Sequence, residues 1–353
     1  MEHVERVAEA VLYEGFLLYP YRRSAMKNQQ RWTFGGVYPR AYSESTGQSD
    51  PWFMKTECLV AGSENTDLEV RVRFLQVVRR TVDSLDGSTR RPVSELRVDD
   101  QVYRPWEEAA ERTVDVSGES LGSLLIRPAS PASGRRTAIE IPTGAIEEPI
   151  SDSAGRHVGT VVREWGAIAG DIEVETIQVP VAFEGKRLYK VSIRIANTLS
   201  WPQDLPLRRE NALPHTMVST HTIVRVTDGE FISLLEPPDE LSNTAKSCEN
   251  IRTWPVLVGD RGDRHTVLSS PIILYDYPQV SPESHGDFFD ATEIDELLAL
   301  SVLTLTDDEK REMRETDAKA REILDRTESL SPEQLMQLHG AVRGLQSLAR
   351  EEP

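Results

Sequence analysis

Cysteine is nearly absent from this chain of 353 residues, which contains only Cys58 and Cys248. Neither belongs to a C-x-x-C pair, so zinc-ribbon, iron–sulfur and thioredoxin-like chemistry lack their usual support. A disulfide between them would be unusual in the cytosol, and both are expected to be buried thiols. Basic charge is also scarce. Lys and Arg number 40 against 58 Asp and Glu, giving a formal net charge of −18. That balance argues against a general grip on DNA or RNA, because phosphate binding needs a basic face. No window approaches the ~20 consecutive apolar residues of a spanning helix, and the opening residues Met1 to Glu5 are acidic where a signal peptide would be basic. The expectation is a cytoplasmic protein without membrane insertion.

Catalytic signatures are missing as well. The chain has no nucleophile elbow, no H-E-x-x-H, no G-x-x-x-x-G-K phosphate loop and no dinucleotide glycine fingerprint. His215 and His221 are the one histidine pair close in sequence, and on a single strand they would stand roughly 20 Å apart, too far to share an ion. His157, His265 and His285 show no ligand spacing. Asp287, Asp290, Glu293, Asp295 and Glu296 could bind a hard cation, but capping and the helix macrodipole explain acids at a helix start equally well. No cofactor and no metal are expected. Residues converging from separate strands could still form a hydrolase, which stays open as an alternative.

Strand signals dominate the middle of the chain. Leu68, Val70, Val72 and Phe74 alternate with Glu69, Arg71 and Arg73, the period of a strand with one solvated face. Tyr189, Val191, Ile193 and Ile195 alternate with Lys190, Ser192 and Arg194, and Glu184-Gly185-Lys186 supplies the turn from Ile177 to Phe183. Val218, Thr220, Thr222, Val224 and Val226 share a face, Asp228-Gly229 makes a turn, and Phe231 to Leu235 returns. Trp254 to Val258 and Val267 to Tyr275 form a further pair across Gly259. Repeated strand and helix alternation is absent, which argues against a doubly wound parallel sheet.

Helical periods lie at both ends. Val4, Val7, Ala8, Val11 and Leu12 recur at the spacing of a helix face, with Gly15 as a stop. After Pro282 three helices are expected, near 291–302, 307–327 and 332–350, with starts marked by Asp290 and Glu293, Thr306 and Glu309, and Ser331-Pro332. From Asp287 to Pro353 there are 17 Asp or Glu and 8 Lys or Arg, a net of −9. The pairs Glu315 with Lys319, Asp317 with Arg321 and Glu322 with Arg326 place acid before base at i, i+4, so the middle helix reads as mostly solvated.

The predicted fold is therefore α+β, predominantly antiparallel β and sandwich or barrel-like, with a short N-terminal helix and a C-terminal helical segment. Its parts are an N-terminal helix and arm over 1–53, a β-rich body over 54–282 with a soft boundary at 117–159, and helices over 287–353.

Two contact surfaces stand out. Between Glu14 and Glu44 there is no acidic residue, yet Arg22, Arg23, Lys27, Arg31 and Arg40 mix with Tyr19, Tyr21, Trp32, Phe34 and Tyr38. Such a stretch can seat an anionic partner or stack on bases, and it can equally fasten the fold by packing within the chain. In the last helix Leu335, Leu338, Val342, Leu345 and Ala349 follow 3-4-3-4 spacing, a seam that a partner, another subunit or the body must cover. The partner-binding candidates are Arg22, Arg23, Lys27, Arg31 and Trp32 on the arm, and Leu335, Leu338, Val342 and Leu345 on the last helix.

The stretch Tyr13-Glu14-Gly15-Phe16-Leu17-Leu18-Tyr19-Pro20-Tyr21-Arg22-Arg23-Ser24, continuing to Trp32, is similar to uncharacterised bacterial proteins encoded beside uptake [NiFe]-hydrogenase operons, in actinobacteria especially. So are Phe289-Asp290-Ala291-Thr292-Glu293-Ile294-Asp295-Glu296 and the Thr304 to Lys310 that follows. The resemblance covers about a fifth of the chain and brings no catalytic residues with it. It implies an accessory, assembly or scaffold role in hydrogenase maturation or organisation, with hydrogenase subunits or maturation factors as protein partners. A homo-oligomer is compatible with this, and a single-stranded nucleic-acid binder acting through the arm is the remaining alternative.

Overall fold

The computed structural model describes residues 2–13, 34–47, 49–127 and 134–278, together with 305–307, 310, 311, 314, 321, 324, 325, 328 and 329. The first helix, α1 (Glu2–Tyr13), follows the apolar spacing of its sequence: Val4, Val7, Ala8, Val11 and Leu12 are all buried. Of three shorter helices, α2 (Arg40–Ser45) precedes the first strand, and α3 (Arg209–Ala212) and α4 (Ser242–Lys246) sit in connections between strands. No described helix is long and apolar enough to cross a membrane.

Fifteen strands run through the described residues. The first eight are β1 (Phe53–Gly62), β2 (Asp67–Asp86), β3 (Thr89–Pro92), β4 (Leu96–Val98), β5 (Gln101–Tyr103), β6 (Trp106–Ser120), β7 (Arg135–Ile141) and β8 (Gly144–Ser151). The others are β9 (His157–Trp165), β10 (Ile168–Phe183), β11 (Lys186–Asn197), β12 (Met217–Thr227), β13 (Glu230–Ile232), β14 (Trp254–Leu257) and β15 (Thr266–Ser270). Five strands form one sheet in the order β13-β1-β11-β10-β7. Eight form a second, in the order β14-β15-β12-β2-β9-β8 with β3 and β6 also paired to β2. Every strand pair within the two sheets is antiparallel.

The sheets face each other as an open sandwich rather than a closed barrel. Period-2 alternation fills the space between them. Leu68, Val70, Val72 and Phe74 from β2 meet Tyr189, Val191, Ile193 and Ile195 from β11 in one core. Beyond that core, β10 and β11 form the expected hairpin. Glu184 and Gly185 both take positive φ, 48° and 76°, the two-residue turn that matches the twist of antiparallel strands.

Four features depart from the pattern read in the sequence. The second face of β2 is only partly solvated: Glu69 is exposed, but α1 lies across Arg73, which is buried. On β12 a bulge between Val218 and His221 adds a residue, so Val218 no longer shares a face with Val224. Met217 takes the inward position instead, because one inserted residue reverses the alternation. The bulge is stabilised by its neighbours, since Ser219 and Thr220 donate their N–H groups to the carbonyls of Phe34 and Gly35 at 3.0 and 3.1 Å. Strand β13 does not return beside β12 after Asp228-Gly229 but pairs with β1 in the other sheet, carrying Phe231 into the core.

The fourth departure concerns the C-terminal helices. Arg314 pairs with Asp325 at 3.1 Å and also with Glu328, while Lys310 reaches Glu328 at 3.2 Å. At 1.5 Å rise per residue a continuous helix would hold Arg314 about 16 Å from Asp325 and about 21 Å from Glu328. Residues 310 and 314 therefore lie beside 325 and 328, which one straight helix through these positions would keep apart. Leu324 itself is docked. Leu324 is fully buried among Leu12, Tyr38, Leu75 and Leu213, although Asp325, Glu328 and Ser329 remain exposed.

Replacing Leu324 with Ala is expected to destabilise the body by roughly 2–4 kcal/mol, the usual cost of opening such a cavity. Asp325→Ala, at an exposed position, should change little. Urea unfolding followed by near-UV circular dichroism measures both; equal midpoints for the two variants would show that the helix does not seal this core.

Candidate functional site

A cluster of ion pairs lies where α1 crosses β2. Arg73 donates to Glu9 at 2.7 Å and to Glu111 at 3.3 Å, with Glu5 at 3.6 Å. Arg71 bonds Asp115 at 2.7 Å and Glu5 at 3.2 Å. The acids at positions 5 and 9 of α1 are four residues apart and so share one face of the helix. That face meets the arginines while the apolar stripe meets Ile223, Val256 and Leu268. Tyr13 closes the C-terminal end by donating to Glu111 at 2.5 Å, and burial followed by this carboxylate holds its hydroxyl far above the usual tyrosine range.

His221 stands directly across from Arg73 in the β12–β2 register, beneath the helix and with no exposed surface. Its Nδ1 donates to the Ser219 carbonyl at 3.1 Å, which leaves Nε2 buried without a hydrogen-bond partner. Burial, with a smaller contribution from Arg73, pushes its pKa down to about 4. A histidine in this state is neutral and sealed. Nothing from solution can reach it while α1 is in place, so its role is structural.

Other reactive groups are also occupied. Cys58 is buried, and burial raises its thiol well above the usual range. Cys248 is half-buried, with its pKa pushed up to about 11 by burial. Both are free thiols and protonated at neutral pH, the inert condition of structural cysteines. Burial disfavours the Glu57 carboxylate, but the Glu249 N–H at 2.7 Å, Lys55 and Lys190 outweigh it and hold its pKa below the ordinary value. Those bonds pin the 249–251 loop to β1. His215 Nδ1 donates to the Ala167 carbonyl at 2.7 Å, and the ring packs edge-on to Trp201. His157 contacts Thr160, and His265 contacts Asp263 at 2.6 Å within one turn. Among the described residues no three His, Cys, Asp or Glu side chains gather as a metal site.

A cleft lined by described residues opens to solution. Its volume is about 770 Å³, within the ~300–1,000 Å³ range of ligand sites. Ile232 of β13 and Leu257 of β14 form a buried apolar floor, with Tyr277 beside them. Leu235 and Tyr275 stand at the rim, 50 % and 87 % exposed. The floor is braced: Asp276 accepts from the Ser233 hydroxyl at 2.5 Å and from the Leu257 N–H at 2.8 Å. Ser233 in turn accepts the N–H groups of Leu235 and Glu236 at 3.2 and 2.9 Å. This hydroxyl serves a turn and shows no pairing with a histidine base.

A tight loop supplies the other wall. Gly259 and Gly262 adopt φ of 120° and 94°, conformations that glycine takes without strain. They bring Asp263 N–H to the Asp260 carbonyl at 2.9 Å, and the Arg264 carbonyl accepts from Phe231 N–H at 2.7 Å. Arg261 thus projects from a fixed loop into the cleft, with no partner among the described residues.

The partner-binding candidates read from the sequence, Arg22, Arg23, Lys27, Arg31, Trp32, Leu335, Leu338, Val342 and Leu345, lie outside the described residues. So do Asp287, Asp290, Glu293, Asp295, Glu296 and His285. The described end of the arm packs inward. Tyr38 is buried, and Arg40 lies 4.7 Å from the Trp52 ring centroid, with Arg194 4.9 Å from the same centroid. Sequence reasoning missed the cleft, although Gly259-Asp260-Arg261-Gly262 spells a rigid turn carrying a cation. No protein-family model matches this chain, and no curated protein matches it.

His221 sets a pH dependence with a definite sign. Its folded pKa near 4 lies below the ordinary 6.5, so between these values the unfolded chain binds a proton that the folded chain refuses. Stability is full above pH 6.5 and falls as the pH drops to 4, by roughly 3 kcal/mol. Carboxylates such as Glu57 and Asp263 add their own losses below their ordinary values of 4.5 and 3.8. Urea unfolding between pH 7 and 4 checks this. His221→Gln should flatten the upper part of the profile, and an unchanged slope would contradict the assignment.

Proposed function

We infer that this protein is a non-enzymatic accessory or assembly factor, acting in the cytoplasm by contact with other proteins. The observation that carries this reading is the contrast between the cleft and the chain's reactive groups. The described thiols are protonated, His221 is sealed, and Ser233 is committed to Asp276, while an open cleft keeps an apolar floor and exposed Leu235 and Tyr275 at its rim. Exposed apolar side chains beside a preformed cleft suit a binding surface.

The partner class comes from the resemblance of residues 13–32 and 289–310 to proteins encoded beside uptake [NiFe]-hydrogenase operons. Hydrogenase subunits or maturation proteins are the proposed partners, with the arginine and aromatic arm and the last helix as further contact surfaces. The acidic charge of −18 favours a protein partner over nucleic acid.

Affinity purification of the tagged full chain from a host producing a [NiFe]-hydrogenase should retain a hydrogenase subunit or maturation protein, identified by mass spectrometry and absent from a tag-only control. Recovery of none of these proteins across growth conditions that induce the hydrogenase would overturn the reading.

A further inference from the structure

The cleft beside β13 and β14 offers a combination of groups that few ligand classes can satisfy at once. Its floor is apolar, from Ile232 and Leu257. Its walls hold both signs of charge: the Arg261 guanidinium, and the carboxylates of Asp260 and Glu236, none of which has a side-chain partner among the described residues. Neighbouring acids are committed elsewhere. Asp276 is held by Ser233 and Leu257, Asp263 by His265, and Glu230 lies 3.0 Å from Lys186 and 4.0 Å from Arg264.

A small anion has no donor to offer the Asp260 and Glu236 carboxylates, and a metal ion has no acceptor to offer the Arg261 guanidinium. A polypeptide meets neither obstacle. Every residue of an extended segment carries an N–H donor for the carboxylates and a C=O acceptor for the guanidinium, and one side chain can enter the floor. Most described arginines of this acidic chain, such as Arg71, Arg73, Arg136 and Arg163, already hold a carboxylate. Arg261 retains that capacity on a loop fixed by two glycines, and charge complementarity therefore calls for an acid in the incoming chain.

We propose that this cleft docks an extended segment of a partner polypeptide, with an aromatic or aliphatic side chain seated between Leu235 and Tyr275 and an adjacent carboxylate bonded to Arg261. The proposal rests on the contact role inferred above and names the chemistry of the partner's docking segment. Main-chain hydrogen bonds to Asp260 and Glu236 supply register, and the Arg261 fork supplies selectivity, since a guanidinium binds a carboxylate through two parallel bonds.

Isothermal titration calorimetry on the full chain tests this with three probes: the blocked peptide Gly-Asp-Phe-Asp-Gly, the same peptide with lysine in place of aspartate, and phenylacetate. The acidic peptide should bind saturably, the lysine peptide should bind about tenfold more weakly or not at all, and phenylacetate should be weaker than the acidic peptide. Arg261→Gln and Leu235→Asp, both at solvent-accessible positions, should each weaken the acidic peptide about tenfold while leaving the circular dichroism spectrum unchanged. Absence of peptide binding, equal affinity for the lysine peptide or phenylacetate, or wild-type affinity in both variants would overturn the proposal. The same variants separate it from the broader role. Hydrogenase proteins retained equally by both would remove the cleft and keep the accessory role; peptide binding without hydrogenase proteins would do the reverse.

Discussion

A single strand of twenty residues, β2, organises the molecule. At ~3.3 Å per residue it extends about 65 Å, several times the usual strand. One side pairs with β12 and then with β9, and the other with β6 and then with β3. Four neighbours thus take their register from one chain segment, and a slip of one residue would turn every side chain of β2 to the wrong face. That penalty is large because both faces are covered from Val72 to Val78. Leu68, Val70, Val72 and Phe74 enter the core between the sheets, and Arg71, Arg73, Leu75 and Val77 meet the helical layer.

The helical layer depends on that second face in turn. A helix of twelve residues is marginal in water by itself, and α1 gains its stability from packing. Its apolar stripe settles on β12, β14 and β15, while Glu5 and Glu9 meet Arg71 and Arg73. The buried Arg73 would be costly alone, yet it is bonded by carboxylates from both the helix and β6. The arrangement also fixes direction, since reversing α1 would remove the acids from the arginines. Leu12 and Leu324 then share one apolar cluster, so the first helix and a segment more than three hundred residues later complete the same surface.

Strand content and many strand faces were legible in the sequence because alternation is a local property. Residues 189–195 and 68–74 stated their inward faces plainly, and Val4 to Leu12 stated a helix. What covers an outward face is not local. Arg71 and Arg73 read as solvated because the acids that pair with them lie some sixty residues earlier or forty later. The bulge on β12 was hidden for a related reason: Ser219 at φ 51° is held by carbonyls from residues 34 and 35, and nothing in the strand itself signals the extra residue. The Asp228-Gly229 turn was recognised, but a turn does not state which sheet receives the next strand. The cleft was invisible for the same reason, since its floor and walls come from separated segments at 232–236, 257–261 and 275–277.

Charge economy connects these observations to the proposed contact role. In a chain with 58 acids and 40 bases, most of the described arginines are captured internally, and they hold β6 to β2, β7 to β10 and α1 to the sheet. An arginine left unpaired on a rigid loop is therefore informative in a way that an unpaired acid is not. Arg261 sits next to Asp260 without bonding it, because the turn that joins Asp263 to Asp260 fixes the backbone between them. The same turn keeps the Arg264 carbonyl on β13, which holds the loop against the cleft floor. The loop backbone is fixed before any partner arrives, so binding orders only the Arg261 side chain, and such preorganisation raises affinity without adding area.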